Sequence, residues 1–127
     1  MSEVQAMDFE QEWLNHFAKE ISPNRLKKYV TKRGGFIWHI FSYNLVDKKD
    51  YLSGDKARQA FDMENKKGAR YYDPSSEEEW VKDLSREMDA GFIDGMYECY
   101  VVSKDMTWTY IKTHENNWCG PYFYKIK

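Results

Sequence analysis

The run Met96-Tyr97-Glu98-Cys99-Tyr100-Val101-Val102-Ser103-Lys104-Asp105-Met106-Thr107-Trp108-Thr109-Tyr110-Ile111-Lys112-Thr113 decides how the chain is read. Both halves are rich in β-branched and aromatic residues, which suit a pleated surface better than a helix. Only Lys104-Asp105 interrupts them. Two antiparallel strands, Met96 to Ser103 and Met106 to Thr113, joined by a tight turn, are therefore the economical reading. Along the second strand Met106, Trp108 and Tyr110 share one face, opposite Thr107, Thr109 and Ile111. A last strand, Tyr122 to Ile126, follows the turn signals Asn116, Asn117 and Gly120.

Working upstream, Phe36 to Tyr43 carries large residues on both alternating faces, which predicts a central strand covered on both sides. Helical spacing appears earlier still. Phe9, Trp13, Leu14, Phe17 and Ile21 form one amphipathic stripe, and Ser22-Pro23 caps a second short helix carrying Leu26, Tyr29 and Val30 inward and ending at Gly34-Gly35. Ser53 caps a helix that buries Ala57, Ala60 and Phe61. Asn65 to Gly68 turns the chain into a short strand over Ala69 to Tyr72. Ser75 and Ser76, each three residues before a glutamate, form a capping-box pattern ahead of Trp80, Val81, Leu84 and Met88, which predicts a helix stopped by Gly91. Helices gather early and strands late. The expected fold is α+β, an antiparallel sheet of about four to five strands with three to four helices packed on it, in a single domain spanning 1–127 whose residues 1–7 fray.

Composition narrows the functional classes. Hydrophobic residues make up 42% of the 127, too many for a disordered chain, while 31% charged residues suit a wet exterior. The apolar run Gly35 to Phe41 is far shorter than a membrane span requires, and the N-terminus has neither the basic opening nor the apolar run of a secretory signal. A cytoplasmic protein with free thiols and no membrane association is expected. The net charge of −2 gives no global attraction to a polyanion. The basic set Arg25, Lys27, Lys28, Lys32 and Arg33, with Lys66, Lys67 and Arg70, reads as a solvated face rather than a nucleic-acid site, because no recognisable nucleic-acid module accompanies it.

Several constellations bear on chemistry. Trp118-Cys119-Gly120-Pro121-Tyr122 resembles a thioredoxin active-site string, yet Tyr122 stands where the resolving thiol belongs and a strand follows where a helix is needed, so Gly-Pro reads as a turn. A Cys/His pair is the remaining catalytic option: Cys119 or Cys99 as nucleophile, His114 or His39 as base and Glu115 or an Asn as orienter, with His114, Cys119 and Glu115 the candidates carried forward. Cys99 reads as a small buried hydrophobe, and His39 as a structural histidine in an apolar layer with one ring nitrogen bonded to a neighbour. His39, His114, Cys99 and Cys119 lack zinc-ligand spacing, so neither metal nor cofactor is expected. The feature that stands out is the aromatic load of the late strands. Trp108, Tyr110, Trp118 and Tyr122, if turned outward, are residue types that anchor protein interfaces.

Four strings carry a family resemblance: Trp38-His39-Ile40-Phe41-Ser42-Tyr43, Ala57 to Phe61, Trp108-Thr109 leading to Thr113-His114-Glu115, and Gly120-Pro121-Tyr122-Phe123. Together, over roughly residues 9 to 124, the chain resembles a family of small Gram-positive bacterial cytoplasmic proteins classed as a domain of unknown function, the one numbered 4275. The resemblance implies a single-domain format and no catalytic residues, and it favours architecture over a site as the reason for the Trp-His and Gly-Pro-Tyr-Phe strings. The functional expectation is a module that binds another protein, regulatory or toxin-neutralising. The alternative is a small hydrolase or transferase.

Overall fold

The computed structural model describes residues 6–30, 37–43, 45–73, 82–83, 89–114 and 120–126. Its centre is the hairpin of β4 (Cys99–Val102) and β5 (Trp108–Lys112), in which all nine residues are buried. Full burial follows from composition: bulky residues stand on both faces of each strand, so both faces must be covered. The remaining strands are β1 (Tyr51–Ser53), β2 (Arg70–Tyr72), β3 (Lys82–Asp83) and β6 (Tyr122–Lys125). Every pairing is antiparallel, in the order β1-β6-β5-β4-β2-β3. Five strands have three or more residues and the two-residue β3 closes one edge, with α1 (Ala6–Phe17), α2 (Pro23–Tyr29), α3 (His39–Ser42), α4 (Asp55–Met63) and α5 (Ala90–Asp94) completing an α+β fold.

The hairpin turn is longer than the two residues expected. Strand pairing ends at Val102 and Thr109, and the Ser103 N–H donates to the Trp108 carbonyl. Between them Ser103 Oγ donates to Asp105 Oδ1 and accepts from the N–H groups of Thr107 and Trp108. Met106 takes φ +58, a left-handed conformation that a side chain adopts only when its surroundings insist. This kink puts Met106 in the same core as Ile111 and Tyr100, on the opposite side from Trp108 and Tyr110, which corrects the expectation that the three share a face.

Two cores flank the sheet. On the first face, α1 buries Phe9, Trp13 and Phe17 at four-residue spacing. Phe9 lies 5.0 Å from Tyr72, and Phe17 meets Tyr124 edge-on. Trp13 Nε1 donates to Thr109 Oγ1 at 2.9 Å while that hydroxyl donates to the Val101 carbonyl at 2.7 Å, so the buried indole N–H is satisfied by the sheet it covers. On the second face, α4 presents Ala57 and Phe61, and α5 presents Ala90 and Ile93, to Cys99, Val101, Trp108, Tyr110 and Phe123. Phe61 stacks on Tyr110 with centroids 4.2 Å apart.

Several local expectations give way to tertiary context. Residues 37–43 do not form the predicted central strand. Trp38 is the N-cap of α3, and Phe41 N–H and Tyr43 N–H donate back to the carbonyls of Trp38 and His39. Ile37 through Phe41 are all buried, and a run buried on every side fits one turn of core helix as well as a strand. Phe41 explains the choice, since its ring fills the space between Trp13 of α1 and Tyr51, Tyr122 and Tyr124 of the sheet. The Ser22 cap of α2 holds, but that helix stops at Tyr29, ahead of Gly34 and Gly35, which lie outside the described residues. Ser53 belongs to β1 and Gly54, at φ +65, precedes α4 instead. Within the helix predicted over 75–88, Lys82 and Asp83 pair as β3 with Tyr71 and Arg70, and the rest of that stretch lies outside the described residues. Gly91 is not a stop but an interior residue of α5, whose N-cap Asp89 accepts from the Phe92 N–H.

Candidate functional site

Glu98 sits immediately before β4 and only 3% of its surface is exposed. A buried carboxylate needs donors, and three different elements supply them. Trp38 Nε1, at the start of α3, donates to Oε1 at 3.3 Å; Tyr100, two residues along β4, donates its hydroxyl to Oε2 at 3.0 Å. His114, just past β5, places Nδ1 2.5 Å from Oε1. Because a carboxylate only accepts, this contact puts the imidazole hydrogen on Nδ1 and sets the ring's orientation.

The charge at Glu98 is felt nearby. Burial holds the Tyr100 hydroxyl well above the ordinary tyrosine range, reinforced by the charge of Glu98 and the bond to it. Glu10 on α1 has its carboxyl raised, first by burial and then by repulsion from Glu98. A line of rings extends outward from the same point. Tyr97 lies nearly parallel to His114, with centroids 5.3 Å apart and 11° between planes. On its other side His114 meets the edge of Trp38, which in turn contacts His39 at 4.4 Å. His39 then meets Tyr43, and Tyr43 meets Tyr29. Tyr97, at one end of this line, is 66% exposed, and Tyr43, one ring short of the other end, is 41% exposed.

These positions revise the residue assignments. His114 is partly exposed and has a carboxylate partner, but that partner is Glu98; Glu115, Cys119 and Trp118 lie outside the described residues. Trp108, Tyr110 and Tyr122 are 3%, 0% and 5% exposed, so they are core residues and cannot present rings to a partner. The reason is that helices cover both faces of the sheet, leaving its central strands no outward side. His39 is buried with Nδ1 against the Tyr29 carbonyl, the structural role expected of it, though on a helix rather than a strand. Cys99 is fully buried in the second core, away from Trp38 and Tyr100 in the first, and burial pushes its thiol far above the range in which thiolate chemistry operates. Among the described residues no three of His, Cys, Asp and Glu come together as a metal site. No described helix is long and apolar enough to cross a membrane.

Glu98 itself is the residue that sequence reasoning passes over. Its signal was present: one acid in a strand entry, Tyr97 to Val102, that contains no other charge. A charge in a buried strand must be met by donors, and the Trp and His strings were the candidates to supply them.

No curated protein matches the chain, and no solved structure does. A family model does match, over residues 2–123, and it carries no assigned activity. With nearly the whole length covered, the chain belongs to the family described as Domain of unknown function (DUF4275).

Proposed function

We propose that the chain is a protein-binding module of the cytoplasm, regulatory or toxin-neutralising, and that Tyr97 anchors its partner. One observation carries this reading. Tyr97 is two-thirds exposed yet lies flat on His114, whose own ring is held by buried Glu98. An exposed aromatic that is already ordered loses less conformational freedom when a partner covers it, and tyrosine is among the residue types that dominate interface energetics. The anchor role expected of the sheet aromatics thus passes to a ring outside the core. The test compares complexes recovered from host cells with the wild-type chain, Tyr97→Ala and Tyr97→Phe. A partner in fixed stoichiometry, retained by Tyr97→Phe and lost by Tyr97→Ala, supports the reading. Recovery of chaperones alone, or a partner indifferent to Tyr97→Ala, counts against it.

A second reading, a small hydrolase or transferase, is favoured by the His114–Glu98 contact. A carboxylate on Nδ1 fixes the tautomer and orientation of the imidazole, the support a general base needs. On this reading Glu98→Gln removes activity while Tyr97→Ala leaves it, the reverse of the pattern expected for a binding anchor.

A further inference from the structure

Along β5 the residues Trp108, Tyr110 and Lys112 alternate onto the second face, and the first two lie in the second core. The stripe thus ends in a lysine where an apolar residue would suit, and only 5% of Lys112 is exposed. Among the described residues no carboxylate pairs with its ammonium. Nζ donates instead to two backbone carbonyls, that of Met96 at 2.9 Å and that of Tyr97 at 3.2 Å. Neutral acceptors offset only part of the cost of burying a charge, so an apolar side chain of similar length would serve the core at least as well.

The two carbonyls belong to a segment outside regular structure. Residues 96–98, between the end of α5 and the start of β4, form neither helix nor strand. From the first face the Glu98 side chain is fixed by Trp38, Tyr100 and His114. From the second face the ammonium fixes the peptide groups before and after Tyr97. Tyr97 is therefore gripped from both faces of the sheet, and its ring, though largely exposed, stays parallel to His114.

We infer that Lys112 is the positioning residue for Tyr97: its ammonium, bridging the peptide groups on either side of that residue, holds the ring on His114, and the stability of the core does not require it. Buried polar groups can fix one arrangement of a chain at a cost in stability. A partner then meets a ring already in place, with less conformational freedom left to lose. The functional weight of this latch rests on Tyr97 being the anchor proposed above; its geometry does not.

The test is made on the free chain by NMR. In the wild type the ring current of Tyr97 shifts the imidazole protons of His114, and Tyr97→Ala, at an exposed position, gives their value without it. Lys112→Met keeps the length of the stem without the charge. It is expected to lose most of that shift, to keep the Trp38 indole N–H resonance that reports the Glu98 contact, and to unfold in urea at a midpoint no lower than the wild type. In the wild type itself the Lys112 ammonium is expected to give a nitrogen-correlated signal protected from exchange with water. A His114 shift intact in Lys112→Met, a Trp38 resonance lost along with it, a Lys112→Met chain that is less stable or fails to fold, or no protected ammonium signal in the wild type would each overturn the inference. No partner enters these measurements, so their failure leaves the anchor role of Tyr97 standing, and failure to recover a partner leaves the latch standing.

Discussion

Replacing Glu98 by alanine is the sharpest test of the buried network. The carboxylate accepts from Trp38 Nε1, Tyr100 Oη and His114 Nδ1, and Trp38 and Tyr100 are each 1% exposed. Removing their shared acceptor leaves two buried donors unsatisfied, at about 1 to 3 kcal/mol each; His114, partly exposed, can turn to water. Adding a small cavity, the expected loss is about 4 kcal/mol, a large share of the roughly 5 to 15 kcal/mol typical of a domain. At about 4 °C per kcal/mol for a chain of this size, the melting midpoint falls by about 15 °C. Glu98→Gln behaves differently. Its amide keeps one carbonyl acceptor and can donate to the Tyr100 hydroxyl, while the desolvation cost of a buried charge disappears, so about 1 kcal/mol is lost. Urea unfolding followed by circular dichroism, with parallel thermal melts, measures both. An alanine variant within about 0.5 kcal/mol of wild type, or a glutamine variant as damaged as the alanine one, refutes the claim that this carboxylate organises three elements.

Three further outcomes follow from other contacts. Because the folded state raises the Glu10 carboxyl, native protein holds its proton where the unfolded chain has released it, so stability from this group falls as pH rises through and above the ordinary glutamate range. Glu10→Gln is therefore more stable than wild type at neutral pH, with the gain vanishing in acid; urea midpoints across the pH series check the slope. Thr109→Val deprives the buried Trp13 indole of its acceptor and costs about 1 to 3 kcal/mol, read from the same unfolding curves, whereas Thr109→Ser keeps the hydroxyl and costs less. In a Cys119→Ser variant the remaining thiol, Cys99, gives no reaction with Ellman's reagent until denaturant is added, since it is fully buried and its pKa is pushed far up.

The hairpin, the first two helices and the α+β class are legible in the sequence because each has a local cause: β-branched alternation, a four-residue aromatic stripe, a Ser-Pro cap. The reading fails where a distant element outbids the local signal. Residues 37–41 are apolar throughout, and only the gap between α1 and the strands, which Phe41 fills, decides that they coil. Lys82 and Asp83 follow a strong capping pattern, yet β2 recruits them as an edge. The candidate site was half visible. His114 stands out at a strand exit, but its partner Glu98 lies sixteen positions earlier and only strand pairing between β4 and β5 brings them together. Trp108 and Tyr110 stand out by residue type, whereas their role depends on α4 and α5 closing the second face.

The placement of β6 between β1 and β5 has a bearing on how the molecule is made. As the chain leaves the ribosome, Tyr51 to Ser53 find no neighbour in the sheet until Tyr122 to Lys125 have been synthesised. The rings of Phe17 and Phe41 likewise wait for Tyr122 and Tyr124 before their cavity is filled. Contacts that far apart in sequence form slowly and late. The nascent protein therefore carries its first helices with unburied aromatic faces for most of its synthesis, a period in which a chaperone would find much to hold.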